Sequence, residues 1–204
     1  MEIKLKHAVY IFLLLFLNLI PLSGQLLLDS YADGNFTSSP IWSGNDTHWQ
    51  IVTNSNAGPG TTGSNTLKLN APSAGTSYLS SQIAYWGGQQ EWGFWIGRGL
   101  QAFTTANQMH IWLYANESNL TSATVDGYRL SIGDNTGNDE IRLEYIVNGA
   151  VNSTVLTSSG SLLNNLDDIS FLLRVTRSST GEWVLFSSTL PTANGGRGAC
   201  HNHS

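Results

Sequence analysis

The sequence predicts an all-β fold: an antiparallel β-sandwich of the jelly-roll kind, with about ten to twelve strands. Three observations predict it. Past residue 25 the chain is built of short runs with period-two alternation, rich in β-branched and aromatic residues. Between the runs stand clusters of Gly, Asn, Asp and Ser, which are turn chemistry. No stretch in that region carries the 3.6-residue period of an amphipathic helix, so alternating βαβ units are disfavoured against a sandwich. The chain has 204 residues and 41% apolar residues, enough for one domain with a real core. Only 11% of residues are charged and the net charge is −5. Nucleic acid and anionic membrane surfaces need clustered cations and are disfavoured as partners. The single cysteine, Cys200, precludes an intrachain disulfide and a thiolate metal cluster.

Taken in order, residues 1–25 read as a secretory signal peptide. Lys4 and Lys6 supply a positive n-region, Ala8 to Ile20 an apolar run interrupted only by Asn18, and Pro21 a helix break before small residues. The run is shorter than the roughly 20 apolar residues that a membrane anchor needs. Cleavage removes Glu2, Lys4 and Lys6, leaving the mature chain more acidic, without a transmembrane segment, and secreted or at the cell surface. Residues 26–190 form the sandwich domain. Its strands are expected at 48–52, 66–70, 78–83, 91–97, 108–115, 128–133, 140–147, 151–156, 169–177 and 182–187. The strongest hairpin signal is Asn148-Gly149, because a type I′ turn needs two successive residues that tolerate positive φ. Residues 191–204 are Gly-rich, carry no strand pattern, and read as an unstructured tail, either a truncation or a natural short end.

Alternation assigns faces. Phe94, Ile111, Leu130, Leu143 and Phe171 fall on the aliphatic parity of their strands and are expected in one buried layer. The opposite parity carries Trp95, His110, Trp112, Tyr114, Arg129, Arg142 and Glu144, a mixture of aromatics with Arg, His and Glu unlike an ordinary solvated sheet surface.

Several motifs recur in order in a known family: Asp33-Gly34-Asn35-Phe36-Thr37, Pro40-Ile41-Trp42-Ser43-Gly44, Gly75-Thr76-Ser77-Tyr78-Leu79-Ser80, Glu91-Trp92-Gly93-Phe94-Trp95-Ile96, Gly127-Tyr128-Arg129-Leu130-Ser131-Ile132-Gly133 and Val175-Thr176-Arg177. The chain resembles the N-terminal domain of large secreted bacterial surface proteins. It is similar to the concanavalin A-like lectin/glucanase jelly roll, the architecture of laminin-G modules. The resemblance covers about residues 29–190 and implies the fold and an extracellular setting, but fold alone does not dictate chemistry. The retaining glucanases of that superfamily carry Glu-x-Asp-x-x-Glu on one strand, and this sequence does not. Its nearest pair, Glu140 and Glu144, shares a face. Their Cα atoms should lie about 13 Å apart, against about 5–9.5 Å between the carboxyl groups of glycosidase pairs.

Trp95, His110, Trp112, Tyr114, Arg129, Arg142 and Glu144 are therefore the candidate ligand-binding residues: aromatic plates for the C–H face of a sugar beside polar groups for its hydroxyls. Asp29, Asp33 and Asn35 offer oxygens that would suit Ca²⁺, but an Asp-Gly-Asn turn explains the same residues without metal and is favoured. The expected function is a secreted, non-catalytic binding or adhesion module with a glycan or cell-surface polymer as partner. The alternatives are a glycoside hydrolase-like enzyme of the same superfamily and a structural spacer from a larger surface protein.

Overall fold

The computed structural model describes residues 27–53, 65–83, 88–98, 107–133, 139–158, 163, 169–189 and 200–203. The signal segment lies outside them, as do the turn residues expected at 56–60 and 134–138. In chain order the strands are β1 (Ser43–Gly44), β2 (Trp49–Thr53), β3 (Asn65–Leu69), β4 (Leu79–Ser80), β5 (Gln90–Arg98) and β6 (Met109–Ala115). They continue as β7 (Gly127–Ile132), β8 (Ile141–Val147), β9 (Ala150–Thr157), β10 (Ile169–Arg177), β11 (Trp183–Thr189) and β12 (Cys200–His203). A 3₁₀ turn, Asp46–His48, leads into β2. The fold is all-β and antiparallel throughout. No helix among the described residues is long and apolar enough to cross a membrane.

Two four-stranded sheets make the body, one ordered β6-β7-β8-β9 and the other β12-β11-β10-β5. The first is a meander of sequence neighbours. The second closes long range: β5 pairs with β10 along nine residues after the chain has built the entire meander. The short pairs β1-β4 and β2-β3 complete the order.

Period two explains why the sheets form a sandwich. Leu113, Leu130, Ile132, Ile141 and Leu143 of the meander join Ile96, Phe171, Leu173, Val175 and Leu185 of the partner sheet in one buried apolar cluster. Of the five residues expected in this layer, Leu130, Leu143 and Phe171 are buried, while Phe94 and Ile111 pack against it partly buried. At one end the aromatics of both sheets meet. Trp92 stacks on Trp183 with centroids 5.6 Å apart, and Tyr128 lies 5.0 Å from both Trp183 and Tyr145.

Local chemistry sets the turns. Asn148 and Gly149 adopt φ of 49° and 71°, the two positive values that a type I′ turn requires, and Val147 pairs with Ala150 across it. Gly149 also packs where a Cβ would come within 2.9 Å of the Ser122 carbonyl oxygen, so no larger residue fits without a shift.

The expectation of an unstructured tail is corrected for Cys200–His203. These residues pair with β11 from Leu185 to Ser188. The free edge of a strand offers unpaired N–H and C=O groups, and a segment needs no hydrophobic alternation to bond with them.

Candidate functional site

The outer face of the meander is a lattice set by register. His110 pairs with Ser131, Ser131 with Arg142, and Arg142 with Thr157, which makes one row across four strands. The next row is Trp112, Arg129, Glu144 and Thr154. Directly opposed residues share a face, so the two rows stand side by side on the sheet face away from the core, where Ser131 and Glu144 are nonetheless buried. The structure thus brings together five of the seven expected residues: His110, Trp112, Arg129, Arg142 and Glu144.

The second row is tied together. Arg129 Nε donates to Glu144 Oε2 at 2.9 Å, and the two side chains are only 17% and 7% exposed. The same guanidinium lies over the Trp112 ring, 5.7 Å from its centroid, within the range of a cation–π contact. In the first row His110 is exposed. Desolvation by the surrounding protein, and then the Arg129 charge, nevertheless lower its pKa to about 4, with Glu144 opposing them. The imidazole is accordingly neutral near pH 7, able to donate from one nitrogen and accept at the other.

Two expected members lie elsewhere. Alternation sets Trp95 and Trp112 on one parity, which makes them neighbours only if their two strands share a sheet. Instead β5 pairs with β10, and β6 with β7. Residues 99–108 separate β5 from β6, far more than the two residues of a tight hairpin, and the chain changes sheet between them. Ile96 faces the core, so Trp95 projects from the outer face of the opposite sheet. Tyr114 is displaced by a bulge: Trp112 pairs with Arg129 and Tyr114 with Tyr128, leaving Leu113 as the extra residue. One inserted residue reverses the parity that follows. Tyr114 therefore leaves the His110 and Trp112 face and stands 40% exposed opposite Tyr128.

Thr154 and Thr157 are the additions that sequence reasoning missed. Bulges at the β8-β9 pairing shift the register between Leu143 and Glu144 and again between Tyr145 and Ile146, so simple alternation along β9 does not assign them. The hairpin at Asn148-Gly149 was the available signal, since counting back from it and allowing for bulges brings Thr154 opposite Glu144.

Asp29, Asp33 and Asn35 spend their side-chain oxygens on hydrogen bonds to the protein. Asp29 Oδ1 accepts the Tyr31 N–H at 2.8 Å and its Oδ2 accepts the Trp42 indole N–H at 2.8 Å. Asp33 Oδ1 and Oδ2 accept the backbone and side-chain N–H groups of Asn35. Asn35 Oδ1 in turn accepts from Thr37 and Ser38. All four carboxylate oxygens thus hold the local chain. Among the described residues no group of three or more His, Cys, Asp and Glu side chains is arranged to hold a metal ion.

No family model, curated protein or solved structure matches this chain. The functional reading therefore rests on the lattice itself.

Proposed function

We propose that the chain is a secreted, non-catalytic carbohydrate-binding module of concanavalin A-like type, which holds glycan on the outer face of the β6–β9 meander. The observation that carries this reading is the Trp112–Arg129–Glu144 row, an indole and a guanidinium held in fixed relation by a largely buried carboxylate. A pyranose offers apolar C–H faces and a ring of hydroxyls. The indole supplies apolar surface for the former. The guanidinium N–H groups, His110 and the exposed hydroxyls of Thr154 and Thr157 supply partners for the latter. Because Glu144 fixes the guanidinium before the ligand arrives, little side-chain freedom is lost on binding. Glu144 is committed to Arg129, and binding needs no group to transfer a proton, which supports a binding module over a hydrolase.

The test is affinity electrophoresis in gels cast with laminarin, xylan, galactomannan or pectin, comparing wild type with Trp112→Ala. The ring lies off the core, so the variant should keep its thermal midpoint within a few degrees while its affinity falls about tenfold or more, the size of one lost aromatic contact. Unchanged retardation of a correctly folded Trp112→Ala protein overturns the reading.

A further inference from the structure

The opposite face of the sandwich carries its own plate. On the outer side of β5 run Glu91, Gly93, Trp95 and Gly97. A Cβ built on Gly97 would sit 2.8 Å from Cη2 and 3.1 Å from Cζ2 of Trp95, so the indole lies down over bare backbone that only glycine leaves free. At Gly93 a Cβ would meet nothing within 4 Å among the described residues. That open floor is bounded along the strand by Trp95 and Glu91, whose Cα atoms lie about 13 Å apart, room for one sugar ring. Across the strand pair Gly93 faces Arg174, and Trp95 faces Leu172. Arg174 donates to Glu91 Oε2 at 2.8 Å, with the two side chains 49% and 52% exposed. Its guanidinium lies 5.0 Å from the Phe186 ring, which steadies it against the sheet. Glycine inside a strand weakens it and marks places where another molecule's atoms approach the backbone. The indole accounts for Gly97, but nothing packed against Gly93 among the described residues accounts for a glycine there.

We infer that the Gly93 floor between Trp95 and the Glu91–Arg174 pair is a second sugar-binding slot, so that the module is divalent and bridges two polysaccharide chains from opposite faces. A pyranose seated on the Gly93 backbone abuts the near edge of Trp95, and the guanidinium and carboxylate edges take its hydroxyls. The ligand class is shared with the reading at Trp112, but the residues are independent of it.

The experiment uses the full-length secreted protein as wild type, Trp112→Ala, Trp95→Ala and Gly93→Leu, with laminarin, xylan, galactomannan and pectin as probes. Retardation reports binding, and the turbidity of mixed solutions reports bridging between chains. Gly93→Leu fills the slot without removing a contact, so it keeps the proposal testable if Trp95→Ala destabilises the fold. Wild type should be retarded and should cross-link one of the polymers. Gly93→Leu and Trp95→Ala should abolish cross-linking and weaken retardation severalfold, while Trp112→Ala retains residual retardation through the second slot. Cross-linking by Gly93→Leu equal to wild type overturns this inference and leaves the Trp112 reading standing. Retardation lost in Gly93→Leu but unchanged in Trp112→Ala leaves the second slot and overturns the first. No retardation of wild type by any of the four polymers overturns both.

Discussion

The two faces of the meander sheet use the same backbone for opposite purposes. On the inner face Leu130 stands directly opposite Leu143, and both are fully buried against the partner sheet. One residue along, on the outer face, Arg129 stands directly opposite Glu144, and Glu144 is only 6% exposed. The inner pair stabilises by removing apolar surface from water. The outer pair is largely out of water as well, and a charge pair so placed recovers little beyond its desolvation cost. A sheet surface that needed only solubility would carry exposed polar residues instead. The difference points to the outer row as a preorganised surface rather than a stabilising one.

Breaking the inner face should have the largest effect. Leu143→Ala removes a fully buried side chain from the middle of the apolar cluster and should cost about 2–5 kcal/mol, read from the urea midpoint at constant slope. A loss below 1 kcal/mol would mean that the two sheets do not bury a common layer.

The outer face should respond less, and in a graded way. Glu144→Ala leaves the Arg129 guanidinium, 17% exposed, without its carboxylate and should cost about 1–3 kcal/mol. Glu144→Gln keeps an acceptor for Arg129 Nε and should recover about half of that loss. Equal losses in the two variants would show that packing, not the hydrogen bond, gives Glu144 its weight.

This comparison explains which parts were legible in the sequence. Alternation is local, so ten strands and the buried parity of Leu130, Leu143 and Phe171 could be read from their own segments. The Asn148-Gly149 turn was equally legible, because its two positive φ values restrict residue type. What escaped was non-local. The pairing of β5 with β10 depends on segments far apart in the chain, and no local pattern says that Trp95 and Trp112 belong to different sheets. The bulge at Leu113 escaped for a different reason: Met109 to Ala115 alternates without a break, yet one unpaired residue takes Tyr114 off the expected face. β12 carries no alternation in its sequence, so its pairing with β11 could not be read locally.

The inner face has one exception that sharpens the contrast. Ser187 lies opposite Leu173 in the β10-β11 ladder and is 3% exposed. Its hydroxyl has no hydrogen-bond partner among the described residues. A buried hydroxyl without a partner forfeits its bonds to water, so Ser187→Ala should raise stability by about 1 kcal/mol. The urea midpoint checks it, and a destabilised variant would show that the hydroxyl is satisfied in solution.

The outer face has the matching exception in His110, and its effect should be the smallest and the most specific. Its folded pKa is near 4, below the ordinary value of about 6.5 for an exposed imidazole. Between those two values the unfolded chain binds a proton at this position and the folded chain does not. Stability therefore rises with pH through that window and falls as acid is added, levelling off below the folded pKa. The cause is loss of water around the ring, helped by the Arg129 charge and opposed by Glu144. His110 is exposed, and solvent screens the effect, so the change should stay well below what a fully enclosed imidazole would show. Carboxylates titrate in the lower half of the same window, so the measurement must be a difference. His110→Gln keeps a polar side chain that does not titrate. Stability of the two proteins compared between pH 7 and pH 4 should diverge, with wild type losing more. Arg129→Gln should raise the His110 pKa and narrow that gap. Parallel curves for wild type and His110→Gln would mean that His110 titrates in the folded protein as it does in water, and that the outer face does not hold its imidazole in the neutral form at mildly acidic pH.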